Sequence, residues 1–189
     1  MARELHIFWK GASMTSMFRN LTADEIEVRV GRLTEKRVEL LLYKNARCDM
    51  AILDEAVTPM GWQREHFGVC GKLLCRVGIR GDDGEWVWKA DAGSPSNFEA
   101  AKGEASDSFK RACFNWGIGR ELYTTPRISF WVEQDGRRMC DVRQDMNGKW
   151  MTYDQFSVKK VEIEDHAIKR LWVVNDTLQQ TVFVWNPDD

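Results

Sequence analysis

The chain has 189 residues and a mass of 22.0 kDa, with 27 Lys and Arg against 29 Asp and Glu and a formal net charge of −2. At roughly 100–200 residues per domain this is the length of a single domain, residues 1–189, able to bury a real core. Charged residues at 30% and hydrophobic ones at 43% exclude a disordered chain, and no apolar run approaches the ~20 residues that span a bilayer.

The first 20 residues carry Arg3, Glu4, Lys10 and Arg19 and no apolar secretory core. Thr22-Ala-Asp-Glu25 has the form of a capping box, which predicts a short helix from Thr22 to near Gly31. Val38 to Tyr43 reads as a strand. Ala46, Met50, Leu53 and Val57 recur at helical spacing, and Thr58-Pro59-Met60-Gly61 stops that helix. Phe67 to Arg80 reads as one long strand, turned by Gly81-Asp82-Asp83-Gly84 into Glu85–Lys89.

Ser96-Asn-Phe-Glu99 is a second capping box, opening a long helix with the apolar stripe Phe98, Ala101, Ala105, Phe109, Ala112 and Trp116. Gly117 and Gly119 stop it. Beyond Pro126 come short strands at Ile128–Glu133, Ser157–Ile163, Leu171–Val174 and Thr181–Trp185, with turns at Asp135-Gly136 and Asn147-Gly148. The order predicts an α+β fold. Trp86, Trp88, Trp116 and Trp131 alternate with core positions and read as core.

Five cysteines, Cys48, Cys70, Cys75, Cys113 and Cys140, form no C-x-x-C pair, which points to buried thiols in an intracellular chain rather than a disulfide scaffold or zinc ribbon. His6, His66 and His166 are too dispersed for a histidine metal site. Between Val28 and Cys48 six basic residues face two acidic ones, a local +4, and between Gln63 and Arg80 the balance is +3. Either a polyanion partner or ordinary solvated faces would account for this.

Asp91, Glu99 and Glu104, with Lys89 and Lys102 nearby, are the carboxylates a metal-dependent nuclease would need, although surface pairing on a helix is the plainer reading. No phosphate-loop motif is present, and Gly117-Ile-Gly119-Arg120 follows a helix rather than opening one. His66 near Cys70 reads as packing. On the long helix, Lys102, Ser106 and Lys110 follow at steps of four, with Arg111 beside Lys110. A lysine point charge and an arginine fork suit phosphate oxygens.

The stretch Glu99-Ala-Ala-Lys-Gly-Glu-Ala-Ser-Asp-Ser-Phe-Lys-Arg-Ala-Cys-Phe-Asn-Trp-Gly-Ile-Gly-Arg-Glu-Leu-Tyr123 resembles the signature helix of the Rad-fifty-two family of single-strand annealing proteins, bacterial and phage recombination mediators among them. LTADEIEVRV from Leu21 resembles that family's first helix, YKNARCDMAILDEAVTPMGWQ from Tyr43 its strand-to-helix segment, and CRVGIRGDDGEWVWKADAG from Cys75 its hairpin. The resemblance covers residues 21–123 and leaves 124–189 as additional C-terminal strands.

It implies a curved antiparallel sheet carrying the long helix on one face, a β-β-β-α core, and assembly into rings or helical arcs of many subunits. It implies a basic groove for single-stranded DNA, annealing of complementary strands in recombination and repair, and no enzymatic activity and no cofactor. It also implies a bacterial or phage-encoded cytoplasmic protein with a single-strand-binding protein among its partners. The family's groove residues fall on Arg47, with a one-residue shift, and on Lys110 and Arg111. Where the eukaryotic member has a further arginine, this chain has Phe114, and the loop of its outer duplex site is short and neutral here, Gly93–Ser96. Lys102 and Arg120 are expected to supply part of that charge. The competing classes are the nuclease and a partner-binding module without nucleic-acid affinity.

Overall fold

Thr22 opens a single 3-10 turn, Ala23–Glu25, in the computed structural model, which describes residues 17–95 and 100–187. The Glu25 carboxylate accepts from the Thr22 amide at 2.9 Å and from its hydroxyl at 3.0 Å. The helix expected to continue to Gly31 does not: Glu27–Leu33 is strand β1. Polar and β-branched residues alternate through Glu27-Val-Arg-Val, and antiparallel partners on both sides outweigh the local capping signal.

Strand β2, Arg37–Tyr43, pairs with β1 across a bulge at Gly31. Helix α1, Ala46–Val57, starts where the Asn45 side chain accepts from the Arg47 amide at 2.9 Å and the Cys48 amide at 3.0 Å. The expected long strand is instead a hairpin, β3 at Trp62–Val69 and β4 at Lys72–Arg80. Its two-residue turn puts Cys70 at φ 50° and Gly71 at φ 75°, the pair of positive angles that a twisted hairpin demands. Cys70 is therefore exposed, whereas the other four cysteines are buried as expected.

Strand β5, Trp86–Ala92, completes a three-stranded sheet ordered β3-β4-β5. Helix α2, Ala100–Trp116, lies on one face of it. The second capping box, Ser96–Glu99, and the stripe residue Phe98 lie outside the described residues. Phe109 and Ala112 are fully buried, while Ala101 is exposed. After a 3-10 turn at Arg120–Thr124, β6 runs Ile128–Trp131. Two short ribbons follow, β7 (Glu133–Gln134) with β8 (Arg137–Arg138), and β9 (Arg143–Gln144) with β10 (Trp150–Met151). The chain then forms β11 (Phe156–Glu164), β12 (Ala167–Asn175) and β13 (Gln180–Trp185).

A six-stranded sheet, ordered β13-β12-β11-β1-β2-β6, curls until its edge strands β13 and β6 come into contact. Its inner face is apolar and buried: Val38 and Leu40 of β2, Ile128 and Phe130 of β6, Leu171 and Val173 of β12. The β-β-β-α order holds, but the helix rests on the three-stranded sheet, and the curved sheet is a separate one. The last three strands are hydrogen-bonded into it through β11 and β1. The Leu21 amide donates to buried Glu121 at 2.8 Å and the Ile168 amide to Thr124 Oγ1 at 2.8 Å, fastening the 3-10 turn after α2 to the segment before β1 and to β12 of the curved sheet.

Candidate functional site

Because alternate residues of β2 point to opposite faces, burying Val38 and Leu40 inside turns Arg37, Glu39, Leu41 and Tyr43 outward. The C-terminal half of α2 faces this outer surface, and between them lies a cleft of about 620 Å³. From β2 it takes Glu39, Leu41 and Tyr43, from α2 Asp107, Lys110, Arg111 and Phe114, and from the segment before β6 Tyr123 and Arg127. Lys110 and Arg111 thus line one cleft, although they stand about 100° apart on the helix.

The cations are held loosely. Arg111 pairs with Asp91 at 3.4 Å and is half exposed, and exposed Arg127 pairs with Glu39. Exposed ion pairs of this kind contribute about 0–1 kcal/mol, so an incoming phosphate meets little competition. Arg29 stacks over the Tyr43 ring at 5.0 Å while holding Glu27 at 2.6 Å, and this pairing, with the Asn45 side-chain amide donating at 3.1 Å and a smaller contribution from the Lys110 charge, lowers the Glu27 pKa. Phe114 and Tyr123 meet edge to face at 5.0 Å, and Tyr123 is 79% exposed. Flat rings interleaved with exposed cations are the surface on which nucleic-acid bases stack while phosphates are neutralised.

Below the cleft, Lys44 is buried against Asp49, which is wholly inaccessible. Burial pushes the Asp49 carboxyl up to about 6 despite the opposing Lys44 and Lys110 charges. Its Oδ2 has no hydrogen-bond partner among the described residues. Gly119 lets the Lys44 stem pass, since a Cβ there would lie 2.2 Å from Lys44 Cε.

Arg47 is exposed on the first turn of α1 and does not line the cleft, though its helix follows directly from Lys44, which does. Lys102 is exposed on α2, two turns before Lys110, and also lies off the lining. Arg120 donates to the Phe114 carbonyl at 2.8 Å and the Asn115 carbonyl at 2.9 Å, so its guanidinium caps the end of α2. Of the nuclease carboxylates, Asp91 accepts from Asn115 at 3.4 Å and the Ala92 amide at 2.8 Å, Glu104 accepts from the Leu73 amide at 3.2 Å, and Glu99 lies outside the described residues. His66 contacts the Ala105 carbonyl at 3.1 Å, a packing role. Trp131, read from sequence as core, is 51% exposed, because its neighbour Phe130 takes the inner face of β6.

Tyr43, Tyr123 and Arg127 were not singled out as site residues by the sequence. No motif marks them, and their relevance comes from the cleft that lies between α2 and β2.

No family model matches the chain. The single-stranded DNA-binding protein DdrA of Deinococcus radiodurans is 35% identical to it over 106 residues, 54% of this chain and 48% of that protein. The chain therefore spans about half the length of this curated relative.

Proposed function

We propose that the chain binds single-stranded DNA in the cleft between β2 and α2 and anneals complementary strands without ATP or metal, as an assembly of many copies. The observation that carries this reading is the convergence of Lys110, Arg111 and Arg127 with Tyr43, Phe114 and Tyr123 in one cleft. Similarity to a single-stranded DNA-binding protein over about half of the chain supports it. Lysine and arginine contacts to phosphate leave base edges available to a second strand, as annealing requires. Arg47 and Lys102 would extend the basic path beyond the cleft, and Arg120 would act on the helix end.

The test is oligonucleotide affinity across a salt series for Lys110→Ala with Arg111→Ala. Each lost phosphate contact lowers the salt slope by roughly 0.7 for a single strand, so the double variant should lose about 1.4 units and weaken equally for every sequence. Unchanged affinity and slope would place the DNA elsewhere. Strand pairing in EDTA, followed by fluorescence quenching, should exceed the spontaneous rate; a strict need for ATP or Mg²⁺ would remove the annealing reading. Light scattering that reports a monomer with and without oligonucleotide would remove the assembly.

A further inference from the structure

We propose that single-stranded DNA leaving the cleft continues over the outer face of β2 and β6, where a base stacks on Trp131 and Arg37 meets a phosphate. This rests on the DNA-binding reading of the cleft and extends it to residues outside the lining.

The register between the strands makes the surface continuous. Glu39 lies opposite Ser129, and Arg37 opposite Trp131, so these side chains share the outer face with Leu41 and Tyr43. Arg37 stands two residues beyond Glu39, the last β2 residue of the cleft, a step of about 7 Å along a strand. No element intervenes between them.

The chemistry at the far end repeats that of the cleft. The Arg37 guanidinium sits 5.0 Å from the Trp131 ring centroid, as Arg29 sits over Tyr43. Arg37 also donates to Ser129 Oγ at 2.8 Å, which fixes the fork and uses one of its five N–H donors. Beyond Trp131 a second hollow is lined by Lys36, Arg138 and Trp150, with Glu35 and Glu133 as its acidic members. Trp131 is 51% exposed, which leaves ring surface open beside Arg37 for a base to stack on. Arg37 packs on the ring from the paired strand, and Lys36 and Arg138 line the hollow beside it, an arrangement of ring and cation that suits a strand carrying flat bases.

The test uses thymidine oligonucleotides of two lengths, one short enough to fill the cleft alone and one longer, and abasic versions of both. Wild type should prefer the longer base-bearing strand over its abasic twin. Trp131→Ala and Trp131→Leu should each cut that preference about tenfold, the usual effect of removing a stacking ring, while short and abasic strands bind as before. The leucine variant keeps the edge strand apolar should the alanine variant fail to fold, and unfolding midpoints are compared alongside. Uniform weakening for every strand would mark Trp131 as structural and overturn the proposal. If the Lys110 and Arg111 double variant weakens binding but the Trp131 variants retain full preference, the extended path is wrong and the cleft stands. If the double variant binds like wild type, it is the cleft that fails.

Discussion

The face of the three-stranded sheet under α2 and the outer face of the curved sheet use their cations in opposite ways. Over the three-stranded sheet, which α2 covers, Lys89 donates to the Asn115 carbonyl at 3.1 Å and lies 4.3 Å from the Trp116 ring, and Arg64 lies 4.8 Å from the Phe109 ring. These charges help bind helix to sheet. On the outer face of β1 and β2 the pairs of Arg127 with Glu39 and Arg29 with Glu27 sit at the surface, where water already screens them. The cations under α2 are committed to the helix, whereas those at the surface, including Arg76 with exposed Glu65 on the other face of the three-stranded sheet, can trade partners for a ligand at low cost. Counting positive charge along the sequence says little about anion binding until the partners and cover of each charge are known.

The largest way to sharpen that contrast is Phe109→Ala. Phe109 is fully buried and stacks on Trp62 at 6.0 Å, so its loss should cost about 3–5 kcal/mol in denaturant unfolding. Leu41→Ala on the open face should stay within about 0.5 kcal/mol. Comparable losses at both sites would mean that the outer face is packed rather than free.

Next in size is the buried pair beneath the cleft. The Asp49 pKa rises from 3.8 to about 6 on folding, chiefly through burial. Between those values the native state keeps a proton that the unfolded chain has released, so this group's contribution falls as pH rises through the window and levels off above it. Asp49→Asn should therefore gain on wild type with rising pH, by no more than about 1.4 kcal/mol per pH unit, and run parallel to it above pH about 7. A constant difference across the window would show that Asp49 is ionised throughout.

The smallest effect is expected at Arg120. Arg120→Ala should cost about 1 kcal/mol as a lost helix cap and leave oligonucleotide affinity within about twofold. An affinity loss rivalling that of Lys110→Ala would put Arg120 on the DNA path.

What the sequence made legible were the elements with local chemistry: α1 between Asn45 and Thr58, the turn at Gly81–Gly84 that joins β4 to β5, and α2 up to its two glycines. The turn at Cys70-Gly71 escaped because a cysteine in the first position hides a turn normally marked by asparagine or aspartate. Strand β1 escaped because a genuine capping box precedes it, and only pairing with its hairpin neighbour β2 and with β11, distant in sequence, decides against the helix. Lys110 and Arg111 were nameable from their helix, yet their company of Tyr43 and Arg127 depends on a tertiary contact that no spacing encodes.

The alternation along β2 has a consequence for how this surface can diversify. Insertion or deletion of one residue within the strand would exchange Val38 and Leu40 for Arg37 and Glu39, sending charge inside and the core to solvent at once. The ligand-facing side chains are mechanically geared to the core ones. Descendants of this sequence can retune the outer face by substitution, one tooth at a time, whereas length changes must fall in the turns at either end.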